Sequence, residues 1–209
     1  LISIKIMSAF GSLLEFRCAL ITGASSGLGL EYARQLAPSV ETLILVARRE
    51  KLLEEIATDL VANFPHLRIK VFASDLVSDT RRDHLINSLS QADLCPDLLI
   101  NNAGMGDYGE FRSSDWSKTE KMIRLNMEAL THLSHALLPG LLARQGAILN
   151  VSSLASLLPI PDFAVYSATK SYVTSFSEAL RLELSDQGVR VLAVCPGPVR
   201  TGFGEVARR

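Results

Sequence analysis

A tyrosine and a lysine four residues apart, Tyr166 and Lys170, are the pair in this sequence best suited to acid–base chemistry. On an α-helix, residues at this spacing are neighbours on one face, so the phenol and the ammonium group lie side by side. A free tyrosine has a pKa near about 10, too high for a base at neutral pH. Because a neighbouring ammonium and a positively charged nicotinamide ring both favour the phenolate, we expect the pKa of Tyr166 to be lowered. The pair can then give a proton to an oxygen atom or take one from it.

A glycine-rich segment near the N-terminus has the composition of a phosphate-binding loop. It follows an apolar run and precedes a helical pattern at Leu30–Leu36. Gly23 suits a tight turn, Gly27 the approach of backbone N–H groups to a pyrophosphate, and Gly29 close packing of helix on strand. The helix N-terminus adds partial positive charge for the phosphates. The strand–loop–helix context predicts a dinucleotide site, and the alternative is a glycine-rich turn with no ligand. The predicted contacts are Gly23, Ser25, Ser26, Gly27, Leu28 and Gly29.

Two arginines lie at the position that usually distinguishes a site for NAD from a site for NADP. A site for NAD usually has an acidic residue about 20 residues beyond the last glycine, at the end of the second strand. Here that point holds Arg48 and Arg49, and no carboxylate lies in the strand end. A guanidinium group suits a 2′-phosphate, so we predict NADP(H) in preference to NAD(H), chiefly on the position of Arg48. The alternative is that both arginines open a solvated helix.

Short apolar runs alternate with longer stretches of helical periodicity along the chain. The runs are Cys18–Thr22, Thr42–Ala47, Ile69–Ala73, Leu98–Asn101, Ala147–Ser152 and Val189–Val194. Each is continuously apolar, which is typical of a strand buried on both faces. Helical stripes lie between them, as at Leu53–Phe64, Ile123–Leu141 and Val173–Leu184. The alternation predicts an α/β fold with a single doubly wound parallel sheet, the Rossmann fold, and helices on both faces.

Further motifs follow in a fixed order. They are Asn101-Asn102-Ala103-Gly104, Asn126, Val151-Ser152-Ser153, Tyr166 to Lys170, and Pro196-Gly197-Pro198-Val199-Arg200-Thr201. With the glycine loop, this set closely resembles the short-chain dehydrogenase/reductase family over nearly the whole span from Cys18 to Thr201. Each motif is short, but all of them together at family spacing are a specific signal.

The resemblance implies roles for individual residues. Ser153, Tyr166, Lys170 and Asn126 match the family's catalytic tetrad: Ser153 would hold the substrate oxygen, Lys170 would anchor the nicotinamide ribose, and Asn126 would hold a water through its backbone. Asp75 and Leu76 match the pair that contacts the adenine ring. Asn102, Ala103 and Gly104 border the adenine–ribose side of the cofactor, while Pro196, Gly197, Val199 and Thr201 match the segment that covers the nicotinamide. The activity implied is the interconversion of a carbonyl compound and a secondary alcohol with NADP(H).

The expected pocket lining is apolar. It comprises Leu154, Ala155, Leu157, Leu158, Ile160, Pro161 and Phe163, with Met105, Tyr108 and Phe111 after the asparagine motif. This predicts a small hydrophobic substrate, although the same residues could serve loop packing. Two other functions remain open: a non-catalytic NADP(H)-binding sensor or scaffold, and an epimerase or lyase that uses the cofactor transiently.

Length and composition limit the number of domains and the classes of partner that we expect. The 209 residues suit one domain. We expect residues 1–16 to be a leader outside the core, and residues 17–209 to be one dinucleotide-binding catalytic domain, truncated at the C-terminus relative to the family. A balance of 21 basic and 22 acidic residues argues against nucleic-acid or membrane partners.

Three widely spaced cysteines predict neither a disulfide framework nor a metal site, and we expect a cytoplasmic protein. Apolar surface on the helix with Tyr166 and on the preceding helix predicts a homodimer or homotetramer.

Overall fold

The computed structural model describes residues 16–198, which form a six-stranded parallel sheet flanked by helices. The strands are β1 (Cys18–Thr22), β2 (Thr42–Ala47), β3 (Arg68–Ala73), β4 (Leu98–Asn101), β5 (Ala147–Val151) and β6 (Arg190–Val194). The helices are α1 (Gly27–Leu36), α2 (Glu50–Asn63), α3 (Asp79–Gln91), α4 (Trp116–Ile123), α5 (Leu130–Arg144) and α6 (Ala164–Glu183). The strand order β3-β2-β1-β4-β5-β6 confirms the predicted doubly wound fold.

Strands β1, β2, β4 and β5 lie in the interior of the sheet and are buried almost throughout. Side chains of α1 and α2 such as Leu36 and Leu53 pack in one core cluster, and those of α3 and α5 such as Leu85 and Leu133 in another. The prediction of burial on both faces is wrong for β3, whose residues range from half-buried to exposed, and for β6, where only Val191 is buried. Both are edge strands of the sheet that residues 16–198 form, so each has a neighbouring strand on one side only.

The predicted boundaries differ from the observed ones by a residue. Strands β3 and β6 begin at Arg68 and Arg190, and β5 ends at Val151. Phe16, the last residue of the predicted leader, is buried in the core cluster that contains Ala19. The packed core therefore begins one residue earlier than predicted, because the phenyl ring covers apolar surface of the sheet.

The helical stretch between β4 and β5 contains a segment with wider turns. Arg124–Ala129 forms a π-helix that joins α4 to α5, and Asn126 lies within it. Such insertions are frequent at functional sites because they turn side chains out of the regular α-helical register. All six strands are parallel, so their carboxyl ends lie on one edge. The order reverses between β1 and β4, where this class of sheet opens a crevice for ligands.

Candidate active site

The glycine loop makes a turn too tight for side chains at two positions. Gly23 has φ +66°, and a Cβ atom there would lie 2.8 Å from Asn102 Nδ2. A Cβ atom at Gly29 would lie 2.3 Å from the carbonyl oxygen of Gly23. Both contacts are closer than real Cβ atoms allow, so the loop requires glycine at both places.

The loop leaves hydrogen-bond donors free at the start of α1. Ser26 precedes the helix in an extended conformation, and its side chain forms no capping hydrogen bond. The first N–H groups of a helix have no partner within it, so those of residues 27–29 face outward from the loop. Such donors, with the partial positive charge of the helix end, fit the phosphates of a dinucleotide.

One of the two candidate arginines lies on this loop. Arg49 Nη2 donates to Ser25 Oγ at 2.9 Å and to Ser26 Oγ at 3.1 Å. Arg48 is exposed, and no hydrogen bond joins it to the loop in the part of the chain described. The structure therefore brings together Ser25, Ser26 and Arg49, whereas the sequence had placed more weight on Arg48.

The asparagine motif after β4 is fastened to the end of β1. Thr22 Oγ1 accepts hydrogen bonds from the N–H groups of Asn102 and Ala103 at 2.9 and 3.0 Å. Asn102 Nδ2 donates in turn to the carbonyl oxygens of Thr22 and Gly23 at 2.8 and 3.2 Å. Sequence reasoning gave Thr22 no role, although a hydroxyl residue at the end of a buried strand, directly before a glycine loop, is a usable signal.

The predicted adenine-binding pair follows β3. Asp75 is exposed, whereas Leu76 is buried in the core cluster that includes Leu85 and Ala129. Asp75 Oδ1 accepts a hydrogen bond from the N–H group of Val77 at 3.2 Å. The segment thus presents a carboxylate outward while its leucine anchors it to the core.

Helix α6 places Tyr166 and Lys170 on its buried face, as the spacing predicts. Tyr166 is 8% exposed and Lys170 is 5% exposed. Lys170 Nζ lies 5.9 Å from the centre of the Tyr166 ring and donates to the carbonyl oxygen of Val151 at 2.7 Å. Ser153, just after β5, forms a side-chain hydrogen bond with Tyr166. Three of the predicted catalytic side chains therefore meet at the carboxyl edge of the sheet.

The lowering of the Tyr166 pKa expected from Lys170 together with the nicotinamide ring stays a prediction, because the protein alone shifts that pKa the other way. Burial raises the pKa of Tyr166 above 10.0, and the hydrogen bond from Ser153 only partly opposes that rise. The ammonium group lies 5.9 Å from the centre of the ring and donates to the carbonyl oxygen of Val151. Burial likewise lowers the pKa of Lys170 to about 8, with Cys195 opposing the shift. Both pKa shifts favour the neutral form of the group, because burial penalises charge.

Asn126 uses its side chain to hold the loop after the asparagine motif. It accepts from the N–H group of Met105 and donates to the carbonyl oxygen of Met105, both at 2.9 Å. Its Nδ2 also donates to Thr169 Oγ1 at 3.0 Å, so it links this loop to α6. Gly104 lies between these groups: a Cβ atom there would be 3.3 Å from Asn126 Oδ1 and 3.4 Å from Lys170 Nζ. Asn126 is therefore next to the lysine, and its predicted backbone role stays a prediction.

A second polar cluster, not predicted from the sequence, supports the segment that carries Ser153. Ser152 Oγ donates to the carbonyl oxygen of Lys170 at 2.9 Å and is hydrogen-bonded to Thr174 Oγ1 at 2.7 Å. The carbonyl oxygen of Pro196 accepts from the N–H group of Leu154 at 3.0 Å. These bonds hold the end of β5 between α6 and the predicted nicotinamide segment. Of that segment Pro196 and Gly197 are described, and Val199 and Thr201 lie outside the described residues.

Within residues 16–198, no three His, Cys, Asp or Glu side chains are grouped as a metal site requires. None of the helices in the same range combines the length and the apolar character needed to cross a bilayer.

Comparison with known proteins shows which family the chain resembles. The family of short chain dehydrogenases matches residues 17–209. The chain is 32% identical over 195 residues to the very-long-chain 3-oxoacyl-CoA reductase of Bos taurus, covering 91% of this chain and 62% of that protein. A short-chain dehydrogenase from Sphingobium yanoikuyae in complex with NADPH is 35% identical, with a TM-score of 0.86 over 92% of this chain and 75% of that one. L-Sorbose reductase from Gluconobacter frateurii, complexed with NADPH and L-sorbose, is 30% identical, with a TM-score of 0.83 over 90% and 72% of the two chains.

Proposed function

We propose, since the chain belongs to the short chain dehydrogenase family, that it is an NADP(H)-dependent oxidoreductase interconverting a hydrophobic carbonyl compound and its secondary alcohol. The observation that carries the proposal is the meeting of Ser153, Tyr166 and Lys170 beside a glycine loop whose first N–H groups are free to bind phosphate. A sensor or scaffold would need the phosphate loop but would have no use for a buried tyrosine, serine and lysine in contact.

Tyr166 is the general acid and base of this proposal. Because burial raises its pKa, the phenol keeps its proton at neutral pH and can give it to a carbonyl oxygen. When bound, the nicotinamide cofactor supplies or accepts the hydride. The Ser153 hydroxyl, already hydrogen-bonded to Tyr166, can hold the same substrate oxygen. Two adjacent donors on one oxygen stabilise the negative charge that develops there during reduction.

Lys170 is assigned to the nicotinamide ribose and to proton return. Its Nζ lies near Gly104 and Asn126, at the inner end of the crevice. With a pKa of about 8, it can lose or regain a proton near neutral pH. A buried ammonium group of this kind can bind hydroxyl groups and relay protons to the tyrosine.

The preference for NADP(H) is supported by the charge and donors around the loop. Arg49 and the hydroxyls of Ser25 and Ser26 are in mutual contact, so one phosphate group could bind all three. The end of β2 has no acidic residue to bind an unmodified ribose, and exposed Arg48 adds a second positive charge.

The apolar character of the substrate is supported by an aromatic wall beside the catalytic hydroxyl. The rings of Tyr108 and Phe163 lie 5.0 Å apart, and those of Phe163 and Tyr166 lie 5.3 Å apart. Leu157 and Leu158, which shortly precede Phe163 in the sequence, are 59% and 67% exposed. Burying such surface against an apolar substrate is favourable, at about 25 cal/mol per Å². L-Sorbose reductase, whose fold is similar, is complexed with a sugar, L-sorbose, so this lining, and not the fold, favours a hydrophobic compound.

We further propose a homodimer or homotetramer in the cytoplasm. Tyr172 and Phe176 on α6 are half-buried with stacked rings 5.9 Å apart, and the Tyr172 hydroxyl is bonded to Thr131 of α5. A partly covered apolar face shared by two helices suits a self-complementary contact. The cysteines in residues 16–198 are free thiols, as in a reducing compartment.

The experiment that tests the function compares Tyr166→Phe with Tyr32→Phe. Ketones of graded size are supplied with NADPH, and turnover is followed at the NADPH absorbance band. Loss of the Tyr166 hydroxyl should lower kcat by at least about 100-fold, the usual range for a positioned acid, while NADPH affinity changes little. Tyr32 is a matched control because its buried hydroxyl has no hydrogen-bond partner among residues 16–198. Retention of more than a few per cent of the rate in Tyr166→Phe would mean that another group is the acid.

A further inference from the structure

An arginine outside the site already described is almost wholly buried. Arg82, on α3, is 1% exposed, and it is among the largest fully buried side chains of the described residues. Its guanidinium group is hydrogen-bonded on every nitrogen. Nη2 pairs with Glu128, and Nε donates to His132 Nδ1 at 3.3 Å. Nη1 donates to two backbone carbonyl oxygens, described next. A buried charge with this many partners is stable in place, whereas an incomplete set would be costly.

The two backbone partners belong to the predicted adenine-binding segment. Nη1 donates to the carbonyl oxygen of Leu76 at 2.8 Å and to that of Val77 at 3.2 Å. These residues directly follow Asp75, whose exposed carboxylate is the predicted adenine contact. Arg82 therefore binds the backbone of the predicted adenine-binding segment, while the side chain of Leu76 is packed in the core.

The other two partners belong to the helical stretch that carries Asn126. Glu128 lies in the π-helical segment, two residues beyond the asparagine, and His132 is in the first turn of α5. The imidazole is also held from α3, since His132 Nε2 lies 3.7 Å from Asp83 Oδ1. One guanidinium group thus joins the adenine end of the crevice to the element beside Lys170.

We propose that Arg82 is a positioning residue for the adenine half of the cofactor, which rests on the proposed NADP(H)-dependent function. It sets the position of residues 75–77 relative to the helix that carries Asn126, so that the adenine and nicotinamide ends of the crevice are held at a fixed separation. Stability alone does not account for this arrangement. An apolar side chain of similar volume in place of a buried ion pair is often neutral or stabilising, but it could not hold two carbonyl groups.

The test uses Arg82→Met, with Arg81→Met as the matched control. Arg81 is the exposed neighbour on the same helix, so its variant removes the same charge without touching residues 76 and 77. Binding of adenosine 2′,5′-bisphosphate, which carries the adenine half alone, is measured by calorimetry, and kcat is measured at saturating NADPH. Arg82→Met should raise the Kd of the fragment about tenfold, equivalent to about 1.4 kcal/mol, with kcat retained within about twofold. Arg81→Met should leave the Kd within about twofold of wild type.

Two further variants keep the test decisive if Arg82→Met does not fold. Glu128→Gln keeps a hydrogen-bond acceptor at a half-exposed position, and Arg82→Lys keeps the charge but loses the forked geometry. Each should raise the Kd of the fragment by about threefold, or about 0.7 kcal/mol, while leaving kcat unchanged. A lower kcat at unchanged Kd would show a merely structural role and overturn the inference, as would equal Kd values for the Arg81 and Arg82 variants. If the wild-type protein bound neither the fragment nor NADPH, the proposed function would fall, and the inference with it.

Discussion

Replacement of Lys170 by methionine should change how the stability of the cofactor-free protein depends on pH. Burial lowers the pKa of Lys170 to about 8 from its ordinary value of 10.5. Below pH 8 the lysine is charged in both the folded and the unfolded chain, and the folded state bears the full cost of burying that charge. As pH rises from 8 toward 10.5, the folded state loses the proton first, so the penalty is relieved and the free energy of unfolding rises.

The size of the effect follows from the difference between the two pKa values. One pKa unit corresponds to about 1.4 kcal/mol, so the whole penalty is about 3 kcal/mol, of which about 2 kcal/mol should be regained between pH 7 and pH 9.5. In Lys170→Met the carbonyl oxygen of Val151 loses its donor. That loss does not titrate, so it shifts the stability of the variant by a constant amount at every pH.

Urea unfolding followed by circular dichroism, under reducing conditions at several pH values from 7 to 9.5, measures this difference. The stability of the wild type minus that of Lys170→Met should increase by about 2 kcal/mol over the range. Cys18, whose pKa burial raises to about 12, is present in both proteins and cancels in the comparison. Lys51→Met is the control, because Lys51 is exposed on α2 and its removal should give a curve parallel to the wild type. A difference between wild type and Lys170→Met that stays constant within about 0.5 kcal/mol would refute the reasoning.

Three other outcomes are expected. Arg49→Ala should weaken NADPH binding by at least about tenfold, or about 1.4 kcal/mol, and NADH binding much less. Fluorescence titration of both cofactors, with Arg48→Ala measured alongside, tests this. Equal losses of affinity for NADPH and NADH would contradict it. Phe163→Ala should lower kcat/KM for bulky apolar ketones more than for small ones, because it removes the ring that contacts Tyr166; an equal loss across the series would show that Phe163 only supports α6. Light scattering at micromolar concentration should give at least the mass of a dimer. A Tyr172→Glu variant places a charge in the face shared by α5 and α6, so it should shift the protein toward monomer. A monomeric wild type would rule out the proposed contact.

The sequence predicted the features that depend on local spacing. Continuous apolar runs and intervening helical stripes were enough to predict a parallel sheet with helices on both faces, because these periods follow directly from strand and helix geometry. The glycine loop was equally predictable, since a turn that excludes side chains at Gly23 and Gly29 leaves a direct mark in the sequence. Tyr166 and Lys170 could be paired because four residues make one helical turn.

Contacts between distant segments were not predictable in the same way. Which arginine lies on Ser25 and Ser26 depends on how the start of α2 sits against the loop, and adjacent residues of the chain give no sign of it. Asn126 was predicted as a site residue, but its bonds to the backbone of Met105 required the helical stretch and the loop to be packed together. The burial of Arg82, in a helix whose neighbouring arginine is exposed, had no sequence signal at all.

The sequence by itself therefore determined the fold, the family and the candidates for the catalytic side chains, because these depend on residue types at short spacing. Only the tertiary structure decided in which direction the protein itself shifts their pKa values. An ammonium group and a nicotinamide ring were expected to lower the pKa of Tyr166, but in the protein alone packing buries the phenol and directs the ammonium of Lys170 onto the carbonyl oxygen of Val151. The sign of the shift depends on solvent exclusion and on the direction of one side chain, and both are properties of the folded chain as a whole.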